Sequence, residues 1–325
     1  MLNTKAIIIN ETGDANVLKL QEHVIGAPGP NQVLISHKAI GVNFLDIYYR
    51  KGLHKLDNLP AILGTEACGY IEKLGQGVTG FKVGDKVAYA TSITGAYCRA
   101  RIIDTKYLVG VPDVISDELA AAFLAKGLTA HFLLKRCYFL RKDDTILVHA
   151  AAGGVGRILC QWAKYIGAKV IGTVGSDEKV KIAKASGCTH VINYNKSNFK
   201  DEVLAIAPEG VGVVYDAVGK DTFLDSVACL KKFGLMVSYG QASGAIDPVD
   251  ISIFSKKSTF FTRPSLFDYK SNRMELVLGA AEVFEMIKNK RFKLEKYNSY
   301  SLDNVAQAHT DIELRKTTGS TILTT

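Results

Sequence analysis

Apolar and polar positions follow two different rhythms along this chain of 325 residues. In the first third, short apolar runs at 5–10, 32–40, 64–74 and 86–90 are divided by turn formers. Ala27-Pro28-Gly29-Pro30 separates the first two, and Gly75, Gly77, Gly80 and Gly84 precede the last. Runs of this kind predict strands, so a compact, β-rich, barrel-like domain is expected. Near Ser116 the rhythm changes. Ser116-Asp117-Glu118 opens an alanine-rich helical segment at 119–126. From Thr145 onward, apolar strands at 145–150, 169–174, 190–193, 212–218, 235–240 and 258–262 alternate with helices at 155–166, 178–185, 198–206 and 222–231. That alternation predicts a parallel sheet covered by helices on both faces. After Arg263-Pro264 it stops. Residues 272–288 form one long helical pattern with Leu276, Val277, Ala280, Val283, Phe284 and Ile287 at its apolar positions. The expected division is 1–126, 127–264, and a segment 265–325 that rejoins the first domain.

Composition narrows the class. The length suits two domains. With 47% hydrophobic and 22% charged residues the chain is expected to fold rather than remain disordered. The longest apolar run, 119–125, is far short of a membrane span. The first ten residues lack the pattern of a secretory signal, so a soluble cytoplasmic protein is expected. Cysteines at 68, 98, 137, 160, 188 and 229 make no CxxC pair and no zinc-ribbon spacing. The net charge of +8 is scattered, without a run of five basic residues. It favours a solvated surface plus an anionic small-molecule site over a nucleic-acid face.

The chemistry-bearing signal is Ala151-Ala152-Gly153-Gly154-Val155-Gly156, between a predicted strand and a predicted helix. It fits a dinucleotide fingerprint with alanine at the first glycine position. Gly153 would let backbone approach a pyrophosphate, and Gly156 would let helix and strand pack closely. The end of the second strand then selects the cofactor. An acid on the ribose hydroxyls is expected there in NAD sites. This chain has Gly175, with Ser176 and Lys179 available to a 2′-phosphate and Asp177 and Glu178 slightly late. Arg157 faces either phosphate or solvent. His149 reads as structural, and Asp216 as a turn anchor.

Several further segments complete a resemblance: 38–46 (Lys-Ala-Ile-Gly-Val-Asn-Phe-Leu-Asp), Leu63-Gly64-Thr65-Glu66-Ala67, Val191-Ile192-Asn193-Tyr194, Val214-Tyr215-Asp216-Ala217-Val218-Gly219, 234–240 and Thr262-Arg263-Pro264-Ser265-Leu266. Over essentially its whole length the chain resembles the zeta-crystallin-like NADPH:quinone oxidoreductases of the zinc-free medium-chain dehydrogenase/reductase superfamily. The resemblance implies an α/β protein with a Rossmann doubly wound parallel sheet plus a β-rich GroES-like catalytic domain, with NADPH across the cleft between domains. It implies that Asn43, Phe44 and Tyr48 line the nicotinamide cleft, with Thr129 near the nicotinamide. It puts Gly153, Gly154 and Val155 on the pyrophosphate, and Gly175, Ser176, Lys179 and Tyr194 at the 2′-phosphate. Val218, Tyr239 and Gln241 would follow the nicotinamide half. Thr262 and Arg263 would form a cofactor-side loop, and Arg315 would reach the cofactor phosphates. Gln241 and Ala242 depart from the asparagine and serine, respectively, common in relatives. Asn43 equally suits a helix cap, and Tyr48 equally suits packing.

Zinc-dependent relatives carry a cysteine and a Gly-His-Glu triplet at the cleft. Here Asn43 and Thr65 stand near those positions, and no four-cysteine lobe exists, so no metal is expected. The expected activity is transfer of reducing equivalents from NADPH to a quinone, with Asn43 or Tyr48 bonding the acceptor oxygen. Reduction of an enone or alkenal, and an NADPH-binding RNA-binding or structural role, stand as alternatives. The segment Ser-Thr-Phe-Phe-Thr at 258–262 reads as an apolar edge strand, and a homodimer is expected to cover it.

Overall fold

The computed structural model describes residues 1–293 and 297–325. The chain divides into two compact units. The first holds Met1–Lys126, Asn272–Lys288 and the C-terminal residues from 297 onward; the second holds Gly127–Ser271 with residues 289–293. The second dividing point therefore falls after Ser271 rather than at 264, and a short piece beyond the long helix joins the second unit.

The first unit is organised by one long strand, Gln32–Val42. From Val33 to Gly41 it pairs antiparallel with Glu66–Leu74. On its other side, Gln32 to Ser36 pair with Ala100–Asp104, and Ala39 to Val42 pair with the C-terminal strand Thr321–Thr324. The sheet continues through Lys86–Ala90 to Leu108–Gly110 on one flank and to Asn298–Ser301 on the other. A smaller sheet joins Lys19–Ile25, Leu2–Ile9 and Ala61–Ile62. Ile7, Ile9, Val33, Ile35, Ile40, Val42, Leu63, Tyr97 and Leu323 share its core. The β-rich expectation holds. Lys19–Ile25 carries exposed residues among its apolar ones, and Ala100–Asp104 mixes buried with half-buried positions and includes Arg101 and Asp104, so their pattern is weak.

The second unit contains a parallel sheet in the order His190–Asn193, Lys169–Val174, Thr145–Val148, Val211–Asp216, Leu230–Ser238, Phe260–Thr262. The order runs outward from Thr145–Val148 in both directions, which is the doubly wound arrangement. Helices Gly154–Ile166, Asp177–Ala185, Phe199–Ile206 and Phe223–Ala228 link the strands. Leu147, Ile171, Ile192, Val203, Val214, Phe223 and Met236 fill its core.

Three expectations change. The helix expected over 222–231 ends at Ala228, because Leu230 already pairs with Val211 in the sheet. The helix expected over 119–126 runs over Asp117–Phe132. Gly127 does not stop it, because Leu128, Ala130 and Phe132 are buried beyond it and packing overrides propensity. In helix Arg273–Lys288, Val277 lies on the exposed side while Leu276, Ala280, Val283, Phe284 and Ile287 are buried.

Candidate functional site

The sequence-predicted cofactor residues of the second unit, except Thr129, collect at one edge of its sheet. Each follows the carboxyl end of a strand. Gly153, Gly154 and Val155 follow Thr145–Val148; Gly175, Ser176 and Lys179 follow Lys169–Val174; Tyr194 follows His190–Asn193. Val218 follows Val211–Asp216, Tyr239 and Gln241 follow Leu230–Ser238, and Arg263 follows Thr262 of the edge strand Phe260–Thr262. In an open parallel sheet this edge is the ligand-binding one, at the point where strand order reverses. Thr129 lies half-buried within helix Asp117–Phe132.

The local geometry suits a dinucleotide. Helix Gly154–Ile166 has Gly153 as its N-cap, and no side chain caps it. Its first-turn amides and positive dipole end suit a pyrophosphate. A Cβ on Gly153 would come within 3.1 Å of the Ala150 carbonyl oxygen, and one on Gly156 would overlap that oxygen. Gly156 is thus the helix-to-strand contact the fingerprint requires. At the second strand, a Cβ on Gly175 would lie 2.5 Å from the Tyr194 hydroxyl. Glycine there admits the tyrosine, so the room above Gly175 is already shaped by an aromatic ring. Ser176 Oγ accepts from the Lys179 backbone N–H at 3.3 Å and caps the next helix. Asp177, the nearest acid, accepts from Asn193 at 2.9 Å and from Lys196 at 2.6 Å. Its bond to Lys196 holds its carboxyl below the usual range.

Further along the edge, Asp216 Oδ1 accepts from the backbone N–H of Val218 at 2.7 Å and of Gly219 at 3.2 Å. Thr222 donates to its other oxygen at 2.9 Å, so Asp216 is a turn anchor. Gln241 Oε1 accepts from Arg263 at 2.5 Å. The residue that departs from relatives thus carries a side-chain contact of its own. Tyr239 has a buried hydroxyl without a hydrogen-bond partner. A buried, unsatisfied donor is costly, and a polar ligand group would satisfy it. His149 is buried between Thr173 and Ser226, each at 2.8 Å, and burial lowers its pKa; it is structural.

The first unit presents a different kind of site. Helix Phe44–Arg50 begins after Asn43, whose backbone N–H donates to Asp46 Oδ2 at 2.9 Å. The Asn43 amide turns instead to two charged groups. Its Nδ2 donates to Glu66 at 2.8 Å, and its Oδ1 accepts from Lys126 Nζ at 2.9 Å. Glu66 also accepts from the Ala125 backbone N–H at 2.5 Å and lies 3.6 Å from Lys126 Nζ. Gly41 faces Glu66 across the sheet, and any Cβ there would overlap the carboxylate.

Behind this set runs a buried chain of polar groups. Arg50 donates to Glu313 at 2.7 Å and to His309 Nδ1 at 3.2 Å. Tyr97 donates to Asp46 at 2.9 Å, and its oxygen lies 2.9 Å from His309 Nε2. Arg50 donates to Nδ1, and Tyr97 gives its one hydroxyl proton to Asp46 so that its oxygen accepts from Nε2; His309 is then neutral with its proton on Nε2. Burial, then Arg50, lowers its pKa to about 3. Burial raises Asp46 to about 6 against the bonds from Asn43, Tyr97 and Thr65. Thr65 spends its hydroxyl on Asp46 at 3.0 Å.

Tyr48 is half-buried; its ring lies 5.5 Å from Phe44 and is stacked on His54 at 5.5 Å. Arg315 is exposed and adopts φ +57° just past helix Val305–Glu313. Glu66, Lys126, Asp46 and Arg50 were not singled out from sequence. The available signal was a charge set within apolar surroundings: Lys126 closes the alanine-rich run, and a buried lysine needs a partner.

A GroES-like unit followed by a doubly wound nucleotide-binding unit defines the class of protein. The alcohol dehydrogenase GroES-like domain model matches residues 29–134, and the zinc-binding dehydrogenase model matches residues 154–289. A quinone oxidoreductase of Pseudomonas aeruginosa is 44% identical over 313 residues, 96% of each chain. A 2-haloacrylate reductase of a Burkholderia species is 39% identical over 326 residues, 98% of each. The structure of Escherichia coli quinone oxidoreductase complexed with NADPH superposes with a TM-score of 0.96 at 41% identity, covering 99% of this chain and 100% of that one. The chain belongs to the quinone oxidoreductase family of the medium-chain dehydrogenase/reductase superfamily. The zinc in the family model's description has no evident ligand set: among the described residues no group of three or more His, Cys, Asp or Glu is arranged to hold a metal.

Proposed function

We propose that this protein is an NADPH-dependent oxidoreductase that reduces quinones without a metal ion. The observation that carries the reading is the strand end at Gly175. No acid projects from it, and the nearest one, Asp177, is turned aside onto Asn193 and Lys196. In this reading Ser176 and Lys179, at the start of the following helix, meet a 2′-phosphate, and Tyr194 bounds the same place. The similarity to quinone oxidoreductases, one of them solved with NADPH, supports the acceptor and the cofactor.

In this reading the second unit binds NADPH. Gly153, Gly154 and Val155 hold the pyrophosphate through helix amides. Thr129, Val218, Tyr239, Gln241, Thr262 and Arg263 follow the nicotinamide half, with Phe44 from the first unit, and Arg315 meets a phosphate. NADPH, when bound, would supply the reducing equivalents. The protein orients the reactants and excludes water more than it exchanges protons. Asn43 donates a hydrogen bond to the acceptor oxygen as negative charge develops, and Tyr48 flanks it. Metal independence is supported by the donor set: Thr65 and Asn43 are hydrogen-bonded neutral groups, poor ligands for zinc. Dialysis against a strong chelator leaves activity intact; stoichiometric zinc whose removal abolishes turnover refutes that part.

The likeness to a 2-haloacrylate reductase favours a second reading, reduction of an activated carbon–carbon double bond on the same site. The deciding assay is NADPH oxidation across a panel of quinones and α,β-unsaturated carbonyls, with semiquinone detection. Turnover of the carbonyls alone selects the second reading, and no turnover of either overturns both. We further propose a homodimer through the edge strand Phe260–Thr262, where Phe260 and Phe261 remain exposed beside an unpaired strand edge. Light scattering that gives a monomer mass at micromolar concentration rejects it. A cytoplasmic setting agrees with six cysteines that are all free thiols.

A further inference from the structure

An asparagine amide carries two N–H donors and a carbonyl acceptor, and rotating it by half a turn exchanges them. Around Asn43 that ambiguity is removed. The Glu66 carboxylate sits 2.8 Å from Nδ2 and the Lys126 ammonium sits 2.9 Å from Oδ1. The reversed amide would set oxygen against carboxylate and N–H against ammonium. Both charged partners are buried, Glu66 at 0% and Lys126 at 6% exposure, while Asn43 itself is only half-buried. The backbone of Asn43 is fixed as well, by its N–H bond to Asp46.

We propose that Lys126 and Glu66 are positioning residues that fix and polarise the Asn43 amide, presenting its second Nδ2–H to the acceptor oxygen. The proposal rests on the reading that Asn43 meets the acceptor. Glu66 takes one of the two Nδ2 protons and leaves the other in a single direction. Lys126 draws electron density toward Oδ1, which strengthens the remaining N–H as a donor. That donor matters most when the acceptor oxygen gains negative charge, so the benefit falls on the rate rather than on binding. A buried ion pair stabilises a fold little more than apolar packing of the same volume. Stability alone therefore does not account for a lysine and a glutamate closed around one half-exposed amide.

The test is a kinetic double-mutant cycle on the full chain with NADPH and 1,4-benzoquinone. It uses Asn43→Ala, Lys126→Met and the two combined. The readouts are kcat, KM for each substrate, NADPH affinity by fluorescence, and Tm. Lys126→Met is expected to lower kcat about 10- to 100-fold, short of the roughly 100- to 1,000-fold cost of removing an oriented donor outright, because the amide itself stays in place. NADPH affinity should stay within about twofold. In the Asn43→Ala background the same substitution should cost nothing further, because Lys126 acts only through that amide. Multiplicative losses in the double variant overturn the proposal, as does an unchanged kcat in Lys126→Met. If Lys126→Met does not fold, the charge-balanced pair Glu66→Gln with Lys126→Met takes its place, with the same expectations. Full kcat in Asn43→Ala overturns both the proposal and the reading beneath it. Loss in Asn43→Ala with none in the lysine variant overturns the positioning role alone.

Discussion

Two ion pairs of nearly equal length show how differently the two units are built. In the first unit Arg50 meets Glu313 at 2.7 Å, with the arginine side chain wholly buried and the glutamate about one-fifth exposed. In the second, Lys196 meets Asp177 at 2.6 Å with both side chains 65% exposed. The first pair belongs to a continuous set of buried bonds running through His309 and Tyr97 to Asp46 and Asn43. The second lies at the carboxyl ends of the parallel strands, beside glycines and the uncapped amides of helix Gly154–Ile166. Burial, not distance, decides what such a contact is worth. The first unit prepares side chains; the second prepares space and dipoles.

The largest expected effect follows directly. Glu313→Ala leaves Arg50 buried without its carboxylate, which costs about 3 kcal/mol, the low end for an orphaned buried charge because Glu313 is partly exposed. Asp177→Ala, which breaks the shorter but exposed pair, should leave thermal stability unchanged within error. Thermal melts of the two variants side by side check the comparison. Equal losses would mean that burial is not what separates the two regions.

Acid should find the same weakness. Burial lowers His37 to about 4 and His309 to about 3, from an ordinary 6.5. Below pH 6.5 the unfolded chain therefore binds two protons that the native state refuses. Burial raises Asp46 from 3.8 to about 6, so between those values the native state binds one proton that the unfolded chain does not. Counting His37, His309 and Asp46, the balance between pH 6 and pH 4 is one net proton in favour of unfolding, about 1.4 kcal/mol per pH unit, and buried His149, also lowered, adds in the same direction. Stability should fall by about 3 kcal/mol or more over that window. Asn in place of Asp46 should steepen the fall, since the opposing proton is removed. A flat profile from pH 6 to pH 4 contradicts the account.

The contrast also explains what could be read from residues alone. The parallel sheet was accessible because each strand from Thr145–Val148 to Val211–Asp216 is a short apolar run bounded by its own helix. Glycines at 153, 156 and 175 mark places where a Cβ would crowd Ala150 or Tyr194, so the tight turns of the proposed cofactor edge were visible as spacing. The first unit hid its chemistry. Glu66, Lys126, Asp46 and His309 lie far apart in the chain, and only the fold makes them one set. Asn43 was open to two readings; it occupies the N-cap of helix Phe44–Arg50 in a capping box with Asp46, and its amide also bonds Glu66 and Lys126. Helix Phe223–Ala228 ended early because Leu230 was claimed by a strand, a non-local pairing no propensity reveals.

A smaller effect tests the cofactor edge. Lys179→Ala should weaken NADPH binding about tenfold, the lower end for a charge-assisted bond in a screened position. NADH binding should hardly change. Equal weakening of both would assign Lys179 to the fold or the pyrophosphate. An NADH preference in the unmodified enzyme would overturn the reading of Gly175 and Ser176.

The smallest effect concerns one strained residue in each unit. Ala150 adopts φ +51° just before the glycine turn, and Arg315 adopts φ +57° past a helix end. A side chain in that left-handed region costs about 1–2 kcal/mol, part of which glycine returns through the greater freedom of its unfolded chain. Ala150→Gly should therefore raise stability by about 0.5–1 kcal/mol. Gly153, at φ −78°, is there for the close approach and not for its dihedral, so this gain is separate from the pyrophosphate contact. NADPH affinity of Ala150→Gly should stay the same. Arg315→Gly should bring a similar gain in Tm but weaken NADPH, if the guanidinium meets a cofactor phosphate as proposed. If Arg315→Gly melts higher and binds NADPH unchanged, the arginine is only a helix terminus. If Ala150→Gly lowers Tm, the left-handed alanine is held by contacts worth more than its strain.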